Sequence, residues 1–207
     1  MKEIILDTET TGLSVKEGHR IVEIGCIEIE NYLPTKKIFH YYLNPDRKVS
    51  QKALEVHGYT DEFLSDKKKF IDIVEEFLDF IKEKRIIIHN AEFDIAHLNH
   101  ELEIAGKDKI DIKNTLDTLE VARDKFPGSG ASLDALCKKF RIDNSKRKFH
   151  TALIDCELLS KVYVNLTDQK EPKLDFTLEG KKNLQNFQKA SYCKKIIEPS
   201  KEELENY

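Results

Sequence analysis

The sequence contains no long hydrophobic run and no closely spaced pair of cysteines. Because no stretch reaches the ~18 apolar residues of a membrane-spanning helix, we expect no membrane span. The four cysteines are far apart along the chain, at Cys26, Cys137, Cys156 and Cys193. Without a Cys-x-x-Cys pair they predict free thiols in a reducing cytoplasm, and neither a zinc site nor a disulfide framework. The start of the chain leads directly into an apolar segment, so we expect no signal peptide and a cytoplasmic location.

The chain also has no excess of positive charge, because 34 Lys and Arg residues stand against 38 Asp and Glu residues, for a net charge of −4. This balance excludes a basic protein that coats nucleic acid. Any binding of nucleic acid by the chain alone should be weak and strongly dependent on salt. The 207 residues are 40% hydrophobic, which is enough for one domain with a real core and a tail.

A short stretch near the start combines a buried strand with two acids. Three consecutive apolar residues, Ile4, Ile5 and Leu6, are typical of a strand that is buried on both faces. Side chains two positions apart point to the same side, so Asp7 and Glu9 should project together from the C-terminal end of this strand. Such a pair needs neutralisation, and carboxylate oxygens suit Mg²⁺ or Mn²⁺. The alternative is a polar strand end with solvated acids, because Asp-x-Glu alone is a weak pattern.

Hydrophobic periodicity along the rest of the chain predicts an α/β domain that begins with an antiparallel meander. Further strands are predicted over residues 21–29, 36–43, 85–89 and 114–116. Helices are predicted over residues 49–57, 69–81 and 117–125, after the N-cap residues Asn90 and Ser132, and after His150. From residue 168 the pattern weakens into a lysine-rich segment. We therefore predict one domain over residues 1–167 and a mobile tail over 168–207 that folds on a partner.

Several polar residues admit a structural role as well as a functional one. His57 ends a predicted helix, where a surface histidine is the common situation, and Asp94 lies in a first helical turn, where the dipole favours an acid. His97 stands one turn later and is expected to be an exposed helical residue, although Asp-x-x-His can bind a metal. A basic run before His150 either contacts phosphates or forms a solvated loop. Its members are Lys146, Arg147 and Lys148.

Three short motifs occur in order along the chain and together resemble one family. They are Asp7-x-Glu9, Asn90-x-x-Phe93-Asp94 and His150-x-Ala152-x-x-Asp155. This set resembles the DEDDh (DnaQ-like) 3′–5′ exonucleases. Neighbouring segments are similar to the proofreading epsilon subunits of bacterial DNA polymerase III, namely Val56-His57-Gly58, Ser132-Leu133-Asp134-Ala135-Leu136-Cys137 and Asp143-Asn144-Ser145. The resemblance covers residues 3–167 closely and the tail loosely.

The resemblance implies a ribonuclease H-like fold, with a mixed five-stranded sheet flanked by helices and a C-terminal tail. It implies that two Mg²⁺ or Mn²⁺ ions are bound by Asp7, Glu9, Asp94 and Asp155, with His150 as the general base. Two metals about 3.5–4 Å apart suit phosphodiester hydrolysis, because one can serve the attacking oxygen and the other the leaving oxygen. The residues implied to hold the DNA 3′ end are Thr8, Thr10, Thr11, Gly12, Leu13, Lys52, His57, Asn90 and Phe93.

The resemblance also implies a partner and a function. The function is removal of mispaired nucleotides from DNA 3′ ends, and the partner is the catalytic (alpha) subunit of DNA polymerase III, contacted by residues 183–207 of the tail. A nearer segment, Leu174-Asp175-Phe176, resembles a fragment of a sliding-clamp-binding peptide, but Glu171 stands where the usual glutamine falls. The alternatives are a free-standing or RNA-trimming exonuclease of the same family, and a non-catalytic module that stabilises a polymerase.

Overall fold

The computed structural model describes residues 2–145, 147 and 149–168. Within them, five strands form one sheet in the order β3-β2-β1-β4-β5. The strands are β1 (Lys2–Thr10), β2 (Ile21–Glu30), β3 (Leu33–Tyr42), β4 (Arg85–Ile88) and β5 (Thr115–Asp117). Pairing is antiparallel for β1–β2 and β2–β3 and parallel for β1–β4 and β4–β5. The predicted mixed five-stranded sheet is therefore confirmed.

The central strand β1 separates two hydrophobic cores. Ile4, Ile5 and Leu6 are all completely buried. Ile4 and Leu6 point into one core, whereas Ile5 points into the other, as the two-residue period of a strand requires. The three apolar residues are therefore consecutive because both faces of this strand are covered.

Helices cover both faces of the sheet. They are α1 (Gln51–His57), α2 (Asp61–Ser65), α3 (Phe70–Ile81), α4 (Ala91–Ile104), α5 (Thr118–Lys125), α6 (Leu133–Phe140) and α7 (Ala152–Leu166). The first core contains the apolar stripes of α3 and α4, and the second contains those of α6 and α7. No helix in the described ranges has the length and apolar character needed to cross a membrane. The short helix α2 was not predicted from the sequence.

The β2–β3 hairpin is tighter than the sequence suggests. Strand β3 begins at Leu33, three residues earlier than predicted, so the turn consists of Asn31 and Tyr32 alone. Both turn residues have positive φ angles, 50° and 68°, as a two-residue turn of matching twist requires. The ring of Tyr32 lies 5.7 Å from that of Tyr163, within the range in which aromatic pairs attract each other.

Some sequence predictions fall on residues that the structure does not describe. The proposed partner segments at 174–176 and 183–207, as well as Lys146, Lys148 and Cys193, lie outside the described residues. The other three cysteines, Cys26, Cys137 and Cys156, are buried free thiols, as predicted.

Candidate active site

The polar strand ends and two helix N-termini open into one large cleft. The cleft has a volume of about 1270 Å³ and is lined by Asp7, Glu9, Asp94, Asp155 and His150. Asp7 and Glu9 come from the end of β1, and Asp94 and Asp155 each lie in the first turn of a helix, α4 and α7. The structure therefore brings together all five residues that the sequence predicts for metal binding and catalysis.

A glycine in β2 determines how close helix α7 comes to the sheet. Gly25 pairs with Asp7 across the antiparallel ladder. A Cβ atom at Gly25 would lie 2.8 Å from the carbonyl carbon of Ala152 and 2.9 Å from the nitrogen of Leu153. Only a glycine allows the start of α7 to rest directly on the strand, and this contact places Asp155 beside Asp7.

The acids are close together and largely removed from water. Asp94 and Asp155 are only 3% and 4% exposed. One ligand atom from each of Glu9, Asp155 and His150 lies within 4.8 Å of the others. His150 precedes the first residue of α7, as it must to reach the same site as Asp155, and its side chain is about half exposed.

Burial raises the pKa of three carboxylates, Asp7 and Glu9 on β1 and Asp94 at the start of α4, which together we call the sheet side of the cleft. Burial raises the pKa of Asp7 well above its usual range, and the charges of Asp94 and Asp155 raise it further. Burial, followed by Asp155 and Glu23, raises the pKa of Glu9 to about 8. Burial raises the pKa of Asp94 to about 7, although the hydroxyl of Thr8, which donates to Asp94 Oδ1 at 2.6 Å, opposes the shift. Such a set of buried oxygen donors fits hard divalent cations, which would replace the protons.

Helix α4, which carries Asp94, is not capped as the sequence predicts. Asn90 adopts a left-handed conformation with φ 72° and makes no side-chain cap. Instead, the carboxylate of Asp117 accepts hydrogen bonds from the backbone nitrogens of Asn90, at 2.9 Å, and Ala91, at 3.0 Å. Asp117 also caps its own helix through Leu119 N at 2.8 Å, so one acid from β5 orders both helix starts. The side chain of Asn90 is thereby left free to line the cleft.

Most of the residues predicted to hold the DNA end line the same cleft. These are Thr8, Thr10, Gly12, Leu13, Lys52, His57, Asn90 and Phe93. Leu13 stands out at its lip with 81% exposure. Thr11 is different, because it is completely buried and its hydroxyl pairs with His19 Nδ1 at 2.9 Å. Thr11 therefore supports the loop from beneath and does not face the cleft.

Two histidines expected at the surface are buried. His57 is 3% exposed, stacks on Tyr59 with ring centroids 4.8 Å apart, and places Nε2 3.3 Å from the carbonyl oxygen of Thr10. His97 is 1% exposed and its Nδ1 donates to the carbonyl of Phe93 at 2.9 Å. The surface expectations for both are wrong, because the ring of His57 packs into the wall of the cleft and the ring of His97 fills the space behind Phe93.

A buried glutamate, overlooked in the sequence, connects several walls of the site. Glu23 is completely buried opposite Glu9 in the β1–β2 ladder. It accepts hydrogen bonds from the hydroxyl of Tyr59 at 2.8 Å and from the backbone nitrogen of Ala152 at 2.9 Å, and it pairs with His40 Nε2 at 2.7 Å. The available signal was an acid between apolar residues of the predicted strand at 21–29, which contains Glu23 and Glu28.

Arg147 also lies in the site, and its side chain is only 8% exposed. Its Nε and Nη2 atoms each donate to one oxygen of Asp155 at 2.6 Å, and its Nη1 donates to Asp134 Oδ2 at 2.8 Å. Its Nη2 also lies 2.8 Å from His150 Nδ1. Burial alone lowers the pKa of Arg147, but the bonds to the two carboxylates raise it above its ordinary value. Arg147 points inward, so the solvated loop predicted for this run is wrong for this residue, whereas the predicted phosphate contact stays a prediction.

Comparison with known proteins identifies the family. The model of a family described as Exonuclease matches residues 4–163, well over half of the chain. The chain belongs to this exonuclease family. A DNA polymerase III subunit epsilon from Rickettsia felis is 47% identical over 216 residues, which cover 100% of this chain and 94% of that protein. The subunit of the same name from Escherichia coli K12 is 45% identical over 187 residues, which cover 86% of this chain and 76% of that protein.

The fold agrees with this assignment. The nuclease domain of 3′hExo, a DEDDh family member bound to rAMP, superposes with a TM-score of 0.70 over 82% of this exonuclease and 92% of that chain, at 16% identity. The ribonuclease H-like fold and the resemblance to epsilon subunits are thus confirmed. The protein is a 3′–5′ exonuclease, and it belongs to a family whose members depend on divalent metal.

Proposed function

We propose that this exonuclease removes mispaired nucleotides from DNA 3′ ends as the proofreading subunit of a bacterial replicative DNA polymerase. The observation that carries the proposal is the convergence of four acids and His150 on one cleft. Relatives named DNA polymerase III subunit epsilon support the choice of DNA as substrate and of this polymerase as partner.

Four carboxylates would hold the metal ions, which we propose to be two Mg²⁺ or Mn²⁺. They are Asp7, Glu9, Asp94 and Asp155. Bound there, two divalent ions supply positive charge that activates the attacking water and stabilises the leaving 3′-oxygen. The protein contributes the alignment, because Gly25 lets α7 approach β1 and Asp117 fixes the start of α4.

His150 is the proposed general base. It stands at the mouth of the cleft, where a water that attacks the terminal phosphate would lie within reach of a ring nitrogen. Burial and the charge of Arg147 lower the pKa of His150 against the opposing effects of Asp155 and Asp134, so the ring is neutral near pH 7. A neutral imidazole can take the proton of that water.

The remaining cleft residues would hold the terminal nucleotide. Thr10 at the end of β1 and the loop at Gly12 and Leu13 form one wall, and His57 with Lys52 forms the next. Asn90 and Phe93 stand opposite, where an aromatic face suits stacking against a base. We propose that these side chains orient an unpaired 3′ end.

The decisive assay measures release of mononucleotides from 3′-labelled oligonucleotides. The full chain is given single-stranded DNA, duplex DNA with a mismatched 3′ end and RNA of the same sequence, each with Mg²⁺, with Mn²⁺ and with chelator. We expect metal-dependent release that is fastest from single-stranded and mismatched DNA. Preference for RNA would favour the trimming alternative. Absence of release, with or without the polymerase subunit, would favour a non-catalytic stabilising module.

The polymerase contact is proposed to lie in the tail, residues 168–207, separate from the exonuclease domain, residues 1–167. The catalytic residues all precede the end of α7 at Leu166. The sequence after this helix is rich in lysine and too poor in apolar residues for a core of its own. We propose that residues 183–207 dock on the alpha subunit and that Leu174-Asp175-Phe176 adds a contact with the sliding clamp.

A version of the chain that ends at Thr167 tests this division. We expect it to hydrolyse a short single-stranded oligonucleotide at the full-length rate but to lose the polymerase alpha subunit in a pull-down. Alanine at Leu174 and Phe176 in the full chain should weaken only the clamp contact. Full polymerase affinity in the shortened chain would place the docking surface on the exonuclease domain.

A further inference from the structure

The hydrogen bonds of Arg147 determine which nitrogen of His150 carries the proton. A guanidinium group can donate but cannot accept. Because Arg147 Nη2 lies 2.8 Å from His150 Nδ1, this Nδ1 must be the acceptor. In a neutral ring, the proton then resides on Nε2.

In this tautomer His150 has no lone pair available for a water. The lone pair of Nδ1 is engaged by Arg147, and Nε2 already carries a proton. The same guanidinium donates to both oxygens of Asp155, each at 2.6 Å. The guanidinium of Arg147 thus bonds to the general base and to a metal-binding carboxylate at the same time.

We propose that Arg147 is a latch that holds the metal-free site in an inactive arrangement and is released from Asp155 and His150 when metal binds. This inference rests on the proposed function, in which Asp155 is a metal ligand and His150 the base. Arg147 is a positioning residue here, since it acts through these two side chains.

The surroundings of Arg147 suit such an exchange. A divalent cation beside Asp155 would repel a guanidinium held against the same carboxylate. Asp134, 2.8 Å from Nη1 and half exposed, offers a partner that remains after the bonds to Asp155 break. Arg147 lies in the segment between α6 and α7, where its backbone nitrogen makes one turn bond, to Asn144 O at 2.9 Å. The side chain can therefore leave Asp155 without disturbing a helix.

Calorimetric titration with Mn²⁺, without DNA, measures the latch. The full chain is compared with Arg147→Gln and with Arg123→Gln, which removes the same charge from the lining of the same cleft without a contact to Asp155. If the latch is closed about 90% of the time, apparent affinity is reduced about tenfold. We expect Arg147→Gln to bind Mn²⁺ about tenfold more tightly and Arg123→Gln to stay within about twofold of wild type.

Nitrogen NMR of labelled histidine rings reads the tautomer directly. In the metal-free wild type we expect a proton on Nε2 of His150 and none on Nδ1. Mg²⁺ should shift both resonances toward those of metal-free Arg147→Gln. Arg147→Lys keeps the charge but has a single nitrogen in place of the two that contact Asp155, so it should give an intermediate Mn²⁺ affinity. It tests the latch should the glutamine variant fail to fold.

Three results separate the latch from the proposed function. An unchanged Mn²⁺ affinity in Arg147→Gln would overturn the latch, because Arg147 would then not compete with metal. A weaker affinity would overturn it too, because Arg147 would then support the loaded site. An Nδ1-protonated His150 in the metal-free wild type would overturn it as well. A wild type that neither binds Mn²⁺ nor hydrolyses DNA would instead overturn the proposed function on which the latch rests.

Discussion

The carboxylates on the sheet side of the cleft and the carboxylate on helix α7 are neutralised in different ways. Asp7, Glu9 and Asp94 form no ion pair in the described part of the chain, and burial raises their pKa values. Asp155 is equally buried but is bridged by Arg147. Burial therefore favours protonation of the first group, whereas the charge of Asp155 is balanced by a guanidinium.

This difference means that metal binding has two separate competitors. On the sheet side, metal must displace protons, so its affinity depends on pH. On the helix side, it must displace a guanidinium, so its affinity depends on one contact. Substitutions on each side, taken in order of decreasing effect, test whether the two sides behave independently.

The largest effect is expected from Asp7→Ala. Hydrolysis should fall below detection, because Asp7 is proposed to bind the metals directly. The loss of rate should therefore exceed the ~10²–10³-fold loss that follows removal of one electrostatic stabiliser. The fold should survive, because removing one of several repelling acids does not destabilise the metal-free protein. Circular dichroism checks the fold, and turnover is measured at saturating Mg²⁺. Near-normal turnover would contradict the assignment of the sheet side as the metal site.

His150→Ala should reduce the rate by roughly 10²–10⁴-fold, the usual contribution of a positioned base. Metal binding should persist, because His150 is not a proposed ligand. However, its ring nitrogen lies within 4.8 Å of ligand atoms on Glu9 and Asp155, which makes ligation a real alternative. Loss of one metal by calorimetry, with an unchanged acidic limb of the pH–rate profile, would make His150 a ligand.

Stability of the metal-free protein should depend on pH through the sheet side. The folded-state pKa of Glu9 is about 8 against an ordinary value of 4.5, so the folded state binds more protons between these values. The free energy of unfolding should therefore fall as pH rises through this window and be greatest below it. Melting in chelator from pH 4 to 9 measures the slope, and saturating Mg²⁺ should abolish the loss.

Glu9→Gln should remove part of that slope. At pH 8.5 in chelator we expect a gain of about 1–2 kcal/mol, or about 3–6 °C in melting temperature, because an ionised acid no longer faces its neighbours. Near pH 4 the variant should match wild type. An equal gain in stability at both pH values would show that the packing of Glu9, and not its charge, lowers the stability of the wild type.

The smallest effect is expected from Thr8→Val, which removes the hydroxyl that donates to Asp94. Loss of one such bond should cost about 1 kcal/mol in the metal-free protein, and the cost should grow above pH 7 as Asp94 ionises. Thr10→Val is the matched control, because its hydroxyl donates to the neutral carbonyl of Gly12 at 2.7 Å. A cost that does not vary with pH in either variant would refute a role for Thr8 in holding the ionised carboxylate.

The sequence was informative where local pattern determines the structure. The apolar run before Asp7 predicted a central strand, and the position of His150 before a helix allowed it to share a site with Asp155. These features depend on periodicity and spacing within a few residues. The amphipathic helix predicted at 69–81 is likewise observed, at Phe70–Ile81.

The features that the sequence did not reveal depend on contacts between distant segments. The burial of His57 and His97 requires the loop that carries Thr10 and Gly12 to fold over them. Asp117 replaces Asn90 as the cap of α4 only because β5 lies beside β4. The inward direction of Arg147 results from carboxylates on the two helices that flank it, Asp134 on α6 and Asp155 on α7, and a basic run by itself gives no sign of it.

The placement of the acids along the chain has a consequence for protein synthesis. Asp7 lies in the first strand, whereas Asp155 lies in the last described helix, and Gly25 brings them together only after α7 has packed. A nascent chain that has not yet exposed α7 cannot form the complete carboxylate set. Truncated translation products shorter than this helix should therefore be unable to degrade DNA, whatever else of the sheet they fold.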